Sequence, residues 1–168
     1  MMFDAELTAR AKALVETFIM RGLTLATAES CTGGLVAGLI TEIAGSSAAL
    51  DRGFVVYSNE AKSDMLGVSP QTLEAFGAVS EQTARELAEG ALARSRADIA
   101  VSVTGIAGPG GGSAHKPVGL VHFACARRGG ALAHVERRFG DIGRAAVRRA
   151  SIVQALDLLE AAAGQTRP

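Results

Sequence analysis

The sequence predicts one α/β domain, built as a three-layer α/β/α sandwich around a mixed, mainly parallel sheet. Three observations favour this fold. The length of 168 residues suits a single domain with its own core, strand-like and helix-like segments alternate along the chain, and a hairpin pattern follows them. The composition agrees, because 48% of the residues are apolar and 20 are glycines, as is typical of a soluble α/β protein. No repeat, linker or low-complexity tract divides residues 1–168, so we expect one domain.

The first half of the chain predicts a helix, a strand, a second helix and a second strand. Apolar residues share one helical face over residues 4–20, and Gly22 ends that helix. The segment LTLAT at 23–27 is typical of a short strand. Helical spacing returns over residues 32–43, and the apolar run at 53–58 predicts the next strand.

The second half predicts a helix, a buried strand, a β-hairpin and a long last helix. Residues 80–95 have helical spacing with Ser80 as the N-cap. The strand at 98–104 is mostly apolar, which indicates burial on both faces. The runs VGLVHFACA and ALAHVERRF flank RRGG at 127–130 and predict the hairpin, and residues 143–163 are expected to form the last helix.

Composition and charge exclude several classes of function. The formal net charge is zero, so we expect no nucleic-acid partner. No apolar stretch has the length of a membrane span and the chain begins with an amphipathic helix, so we expect no membrane association and a cytoplasmic location. Cys31 and Cys125 lack CxxC spacing and the three histidines are scattered, so we expect reduced thiols and neither a metal nor an organic cofactor.

Polar residues and glycines concentrate in three loops that each follow a predicted strand. These loops are 28–34, 57–64 and 104–119. Ligands of open α/β sheets bind outside the carboxyl ends of the strands, so we expect the three loops to form one pocket. The candidate substrate-binding residues in them are Thr32, Gly33, Gly34, Asn59, Thr104, Gly105, Gly108 and Gly111.

The first loop places Ser30 at the turn from a strand into a helix. The free N–H groups at the start of that helix could hold a phosphate or an oxyanion near the Ser30 hydroxyl. Alternatively, Ser30 or Thr32 only caps the helix, which is the commoner role of serine at such a position. Cys31 has no histidine nearby in sequence to form its thiolate, which favours a buried, unreactive thiol.

The second loop offers a base for Ser30. A serine hydroxyl is a poor nucleophile until a base takes its proton, and a lysine desolvated in a pocket can lose its charge and act as that base. Lys62 is the candidate base, and Tyr57 lies in the same motif, YSNEAK. The pair would follow the Ser–Lys variant of serine catalysis. In the alternative interpretation Lys62 is a solvated helix residue and the Tyr57 hydroxyl faces water.

The third loop and the start of the last helix are candidates for binding an anion. The segment GIAGPGGG is rich in glycines, which let backbone N–H groups approach a ligand closely. Arg144, Arg148 and Arg149 follow near the start of the last helix, where an arginine could bind a phosphate. The loop could equally be a plain surface loop, and the arginines could be solvated charges.

Taken together, several segments resemble the CinA C-terminal domain family, the nicotinamide-nucleotide amidohydrolases. They are TAESCTGG, AGSSAALDRGFVVYSNEAK, GAVSEQTARELAEGA, ADIAVSVTGIAGPGGGSAHKPVGLV and GRAAVRR, in the family's order, and the resemblance extends from about residue 4 to residue 160. It implies that the substrate is a small pyridine nucleotide. The carboxamide of nicotinamide mononucleotide would be hydrolysed to nicotinate mononucleotide and ammonia.

The resemblance also implies the roles of particular residues. The family's serine nucleophile falls on Ser30, its lysine base on Lys62 and its tyrosine on Tyr57. Either Lys62 or Tyr57 would then protonate the leaving ammonia. Relatives carry an arginine in a segment written G-D-R-x-x-V-R-R, whereas this chain reads GDIGRAAVRR. The role of that arginine in holding the substrate phosphate therefore falls on Arg144 or Arg148.

Two alternatives from other functional classes stay open at this point. One is a nucleotide-binding regulatory module that does no chemistry, although such a module would not need both Ser30 and Lys62. The other is a hydrolase that attacks a related nucleotide at phosphorus, a reaction that usually requires a metal held by carboxylates. We also expect the protein to form a homo-oligomer.

Overall fold

The computed structural model describes residues 3–165, and among these the chain forms six α-helices, one short 3-10 helix and five strands. In chain order they are α1 (Ala5–Met20), β1 (Leu25–Glu29), α2 (Leu35–Thr41), the 3-10 helix (Ser46–Ala48), β2 (Leu50–Val55), α3 (Asn59–Leu66), α4 (Pro70–Phe76), α5 (Glu81–Ala93), β3 (Ile99–Gly105), β4 (Leu120–Arg127), β5 (Leu132–Arg138) and α6 (Arg144–Gly164). In this described part of the chain, no helix combines the length and the apolar character needed to cross a membrane.

The strands form one mixed sheet in the order β2-β1-β3-β4-β5. β1 pairs in parallel with β2 and β3, whereas β4 pairs antiparallel with β3 and β5. Four of the five strands therefore run in one direction, and β4 opposes them. Helices α1, α2 and α6 cover one face and α3, α4 and α5 the other. The predicted three-layer α/β/α sandwich is confirmed.

The two faces of the sheet carry side chains of different size. Large residues such as Val101 and Phe123 point toward α1 and α6 and build the main hydrophobic core. Small residues such as Ala100 and Ala124 point to the other face, where α5 packs. Gly90 continues this pattern on α5, since a side chain there would collide with the end of α3. The small residues thus let α5 lie close to the sheet and to α3.

Several boundaries differ from the predicted ones. β1 spans Leu25–Glu29 rather than 23–27, because the strand continues through the buried polar end of the segment. β2 spans Leu50–Val55 rather than 53–58. It is an edge strand that is partly exposed along its length, so its apolar residues mark only its end. α2 begins at Leu35 because the residues before it form a tight turn.

The largest difference lies between β2 and α5. Residues 57–64 are predicted as a loop, but most of them belong to α3, and α4 follows it. Ser58 and Ser69 cap these helices by accepting backbone N–H groups. Apolar periodicity does not reveal the two helices, because α3 buries only two residues and α4 buries none.

Candidate active site

The carboxyl ends of β1 and β3 and the starts of α3 and α6 surround a polar cavity of about 210 Å³. All three loops that the sequence analysis identified contribute to it, so the expected convergence on one pocket is observed. The lining residues are Ser30, Cys31, Tyr57, Asn59, Lys62, Ala78, Val79, Thr104, Gly105, Ala107 and Arg144.

Ser30 lies directly after β1, where the chain leaves the sheet. Its N–H donates to the carbonyl oxygen of Val103 (2.9 Å), which extends the β1–β3 pairing by one residue. Its carbonyl oxygen accepts the N–H of Gly33 (3.1 Å) and closes a tight turn before α2. Gly33 and Gly34 have φ values of 61° and 94°, a region that favours glycine. The two glycines of TAESCTGG therefore permit the turn that presents Ser30 to the cavity.

Lys62 of α3 reaches the Ser30 hydroxyl from the opposite layer of the sandwich. Its Nζ lies 3.3 Å from Ser30 Oγ. The same nitrogen donates to the carbonyl oxygens of Val56 and Tyr57, each at 3.0 Å, and lies 3.4 Å from that of Ser58. The side chain is only 1% exposed. The connection from β2 to α3 thus wraps around a buried amine and directs it at Ser30.

The environment of Lys62 favours its uncharged form. Burial removes the amine from water and lowers the pKa of Lys62 from its ordinary value. A neutral amine has two N–H donors and one lone pair. The two shortest contacts, to Val56 and Tyr57, can take both donors and leave the lone pair for the proton of Ser30. This geometry suits a base that activates the serine.

Arg144, the first residue of α6, joins two of the loops beside the cavity. Its Nη1 donates to the carbonyl oxygen of Gly108 (3.0 Å), and its Nη2 donates to the Tyr57 hydroxyl (3.3 Å). Arg144 is exposed, and Tyr57 is 61% exposed. Both side chains line the cavity and are accessible to a ligand. The guanidinium therefore offers a positive charge to an anion that enters next to Ser30.

Arg148 lies one turn further along α6 and lines a different cavity. That cavity, of about 260 Å³, lies against α1 and is also lined by Phe3 and Leu7. The Arg148 Nη2 donates to the carbonyl oxygen of Thr32 (3.2 Å), so it contacts the outer side of the serine turn. Of the two candidate arginines, Arg144 is the one that shares the cavity with Ser30.

The start of α2 is occupied by the carboxylate of Glu29. Its oxygens accept the N–H groups of Gly34 (3.0 Å), Val36 (3.0 Å) and Ala37 (2.9 Å). These donors are therefore not free for a phosphate or an oxyanion, contrary to one part of the sequence-based expectation. The N–H group of Cys31, by contrast, makes no hydrogen bond with another residue between 3 and 165 and interacts only with the sulfur of its own side chain.

The remaining predicted binding residues divide into two groups. Asn59, Thr104 and Gly105 line the cavity. The second group does not line it: Thr32, Gly33, Gly34, Gly108 and Gly111. Thr32 is fully buried, and its hydroxyl has no partner among residues 3–165. Gly108 helps to hold the Arg144 side chain, because its carbonyl oxygen accepts a hydrogen bond from Arg144.

The connection between α4 and α5 forms one wall of the cavity, which no sequence pattern indicates. Thr104 fixes this wall, because its hydroxyl donates to the carbonyl oxygen of Ala78 (2.7 Å). Ala78 and Val79 then line the cavity. Neither residue carries a chemical group that would identify it in a sequence. Only the packing of α5 on the sheet brings the two residues to the site.

Cys31 is the other reactive side chain beside Ser30. It is 5% exposed, and burial raises the pKa of its thiol to about 12. The thiol is therefore protonated at neutral pH, in agreement with the expected unreactive cysteine. Over residues 3–165, no three histidine, cysteine or acidic side chains are grouped so that they could hold a metal ion.

Known proteins are similar to this chain over most of its length. Nicotinamide-nucleotide amidohydrolase PncC of Escherichia coli K12 is 54% identical over 159 residues, which are 94% of this chain and 95% of the relative. The protein of the same name from Enterobacter agglomerans is 56% identical over 137 residues, 81% of this chain and 82% of the relative.

The fold is shared with solved structures of similar proteins. The competence/damage inducible protein CihA of Agrobacterium tumefaciens superposes with a TM-score of 0.94 at 58% identity, covering 97% of this chain and 98% of that one. A CinA superfamily protein of Escherichia coli gives a TM-score of 0.87 at 34% identity, covering 94% and 92%. A comparison with family models matches residues 7–163 to the CinA C-terminal domain. The chain therefore belongs to the CinA C-terminal domain family.

Proposed function

We propose that this protein is a nicotinamide-nucleotide amidohydrolase. It would convert nicotinamide mononucleotide and water into nicotinate mononucleotide and ammonia. The observation that carries the proposal is the Ser30–Lys62 pair, in which a hydroxyl lies 3.3 Å from a buried amine. The choice of substrate rests on the named relatives, which this chain matches over most of their length. The exposed Arg144 in the same cavity suits the phosphate of a nucleotide.

The first half of the reaction forms an acyl-enzyme. Lys62 Nζ, neutral at that moment, takes the proton of Ser30, and Oγ adds to the carboxamide carbon of the substrate. The carbonyl oxygen becomes an oxyanion. The Cys31 N–H directly follows the nucleophile in the chain and makes no hydrogen bond with another residue between 3 and 165, so we assign it as a donor to that oxyanion.

The second half releases both products. The Lys62 ammonium gives its proton to the amide nitrogen, the C–N bond breaks, and ammonia leaves. Water then attacks the ester carbon while Lys62 takes a proton from it. The collapse of this second tetrahedral intermediate breaks the bond to Ser30 Oγ and returns the proton to that oxygen. Nicotinate mononucleotide leaves as the carboxylic acid and loses its proton to water, and the released ammonia takes up a proton in solution.

The proposal is tested by incubating purified, chelator-treated protein with nicotinamide mononucleotide. We expect ammonia and nicotinate mononucleotide in equal amounts, at a rate that the chelator does not change, because no step needs a metal. Ammonia is measured by a coupled enzymatic assay and the nucleotides by chromatography. Tight nucleotide binding without turnover would instead indicate a regulatory module. Release of inorganic phosphate would indicate attack at phosphorus.

Replacing Arg144 by alanine should weaken the binding of the nucleotide. The substrate phosphate is close to a dianion at neutral pH, and a charge-assisted contact of this kind contributes about 1.5–3 kcal/mol. We therefore expect KM for nicotinamide mononucleotide to rise by about 10- to 150-fold. Nicotinamide riboside lacks the phosphate, so it should be a poor substrate that the substitution barely affects. Steady-state kinetics on both substrates measure the difference.

Arg149→Ala is the matched control for this substitution. Arg149 lies on the same helix but pairs with Asp4 and Glu6 at the surface, outside the Ser30 cavity. Its replacement should leave the kinetics on both substrates nearly unchanged. An equal loss on nucleotide and riboside in Arg144→Ala would contradict a phosphate-binding role for that arginine.

A further inference from the structure

The carboxylate of Glu29 is fully buried immediately before the serine of the Ser30–Lys62 pair. Its Oε2 accepts the N–H groups of Gly34 and Val36, each at 3.0 Å, and its Oε1 accepts that of Ala37 at 2.9 Å. Both oxygens of one side chain are thus engaged by the first turn of α2. Gly34, the N-cap residue of this helix, provides no side-chain cap of its own.

A buried carboxylate is an unusual way to cap a helix. Within residues 3–165 no cation pairs with Glu29, so its charge is balanced by three N–H groups and by the positive end of the helix. Burying an unpaired charge is unfavourable, and a serine or threonine at the N-cap could satisfy a free donor without burying any charge. The buried charge therefore calls for an explanation beyond helix capping.

The location of these contacts supplies one. The chain leaves the sheet at Glu29, turns at Ser30 and returns at Gly34, whose N–H is bound to Glu29. The hydrogen bond from the Gly34 N–H to the Glu29 carboxylate thus joins the two ends of the turn that carries Ser30. The start of this turn is fixed in the sheet, because Glu29 pairs with Val103 on one side and Val55 on the other. A small movement of α2 relative to β1 would therefore displace the serine hydroxyl from Lys62.

We infer that Glu29 is a positioning residue for catalysis, an inference that rests on the proposed amidohydrolase function. It holds the serine turn so that Oγ stays 3.3 Å from Lys62 Nζ. By filling the start of α2 it also keeps the substrate phosphate out of that anion site and leaves the phosphate to Arg144. In this role Glu29 contacts neither the substrate nor the proton that passes from Ser30 to Lys62.

The test compares Glu29→Gln with Glu86→Gln. Glu86 caps α4 in a similar way, since it accepts the Ser69 N–H (2.7 Å) and the Thr72 hydroxyl (2.5 Å), but it does not line the Ser30 cavity. In either variant one carboxylate oxygen becomes an NH₂ group that cannot accept a hydrogen bond. Both variants should melt at a lower temperature than the wild type. Only Glu29→Gln should also lose catalysis.

For Glu29→Gln we expect kcat on nicotinamide mononucleotide to fall by about a hundredfold, the loss that follows from a misplacement of about 1 Å. KM should stay within about threefold, because Arg144 is untouched, and Glu86→Gln should keep kcat within about twofold. Glu29→Asp separates charge from position. It keeps the carboxylate, but it is one methylene too short to reach all three donors, so both its melting temperature and its kcat should stay below those of the wild type.

Each outcome has a defined meaning. A folded Glu29→Gln or Glu29→Asp protein with kcat near that of the wild type would overturn the positioning role. A fall in kcat that merely follows the loss of melting temperature across Glu29→Gln, Glu29→Asp and Glu86→Gln would do the same. If neither Glu29 variant folds, Glu29 is a determinant of folding and the inference is withdrawn. Wild-type protein that releases no ammonia would overturn the proposed function instead, which distinguishes the two failures.

Discussion

Ser30→Ala should abolish amide hydrolysis while the nucleotide still binds. Among residues 3–165, Ser30 Oγ is the one side-chain atom that forms a hydrogen bond with Lys62 Nζ, and the substitution removes it. Losing the nucleophile of a serine hydrolase reduces kcat by at least about 10³-fold, and often by far more. The fold should persist, because the turn is held by backbone contacts of Ser30 and by Glu29. Ammonia release measures kcat, and calorimetry with nicotinate mononucleotide measures binding.

Cys31→Ala is the control for the nucleophile. It removes the neighbouring thiol, which is protonated at neutral pH, and keeps the Cys31 N–H that we assign to the oxyanion. Its kcat should stay within about fivefold of the wild type. If Ser30→Ala retained more than about a hundredth of the wild-type rate, Ser30 would not be the covalent nucleophile.

Much of the fold could be predicted because its elements carry local patterns. The β4–β5 hairpin follows from two apolar runs around RRGG, and Ser80 caps α5 as expected. β3 is buried along nearly its whole length, as its apolar sequence indicates. Helices α3 and α4 could not be read in the same way. They bury few residues, so their apolar spacing is weak and only their capping residues mark them.

The chemical groups of the site could be predicted better than their geometry. Ser30 and Lys62 stand out as residue types that form a nucleophile and base, but they are 32 residues apart, and only the β1–β2 pairing brings them together. The choice between Arg144 and Arg148 depends on which face of α6 meets the cavity. Glu29 was visible in TAESCTGG, yet its carboxylate gains a role only when α2 folds back onto it.

Lys62→Arg should be nearly as damaging as Lys62→Ala. Arginine keeps a positive charge and donors for the carbonyl oxygens around it, but its guanidinium does not lose a proton near neutral pH. It therefore cannot accept the proton of Ser30, and we expect kcat to fall by about 10³-fold or more in both variants. The matched control is Lys116→Arg, since Lys116 donates to the Phe76 carbonyl oxygen, a contact that an arginine can keep. That variant should retain kcat within about threefold.

The pH dependence of the wild type provides the second test of Lys62. The base must be neutral to act, so kcat/KM should rise with pH through the pKa of Lys62 and level off above it. Because burial lowers that pKa from its ordinary value, the rise should be complete at a lower pH than for an exposed lysine. Rates measured between about pH 6 and pH 10 with nicotinamide mononucleotide would locate the limb. Two results would show that Lys62 serves only as an electrostatic anchor and that another group takes the proton of Ser30. One is an active Lys62→Arg enzyme, and the other is a wild-type pH profile in which kcat/KM does not rise in this way.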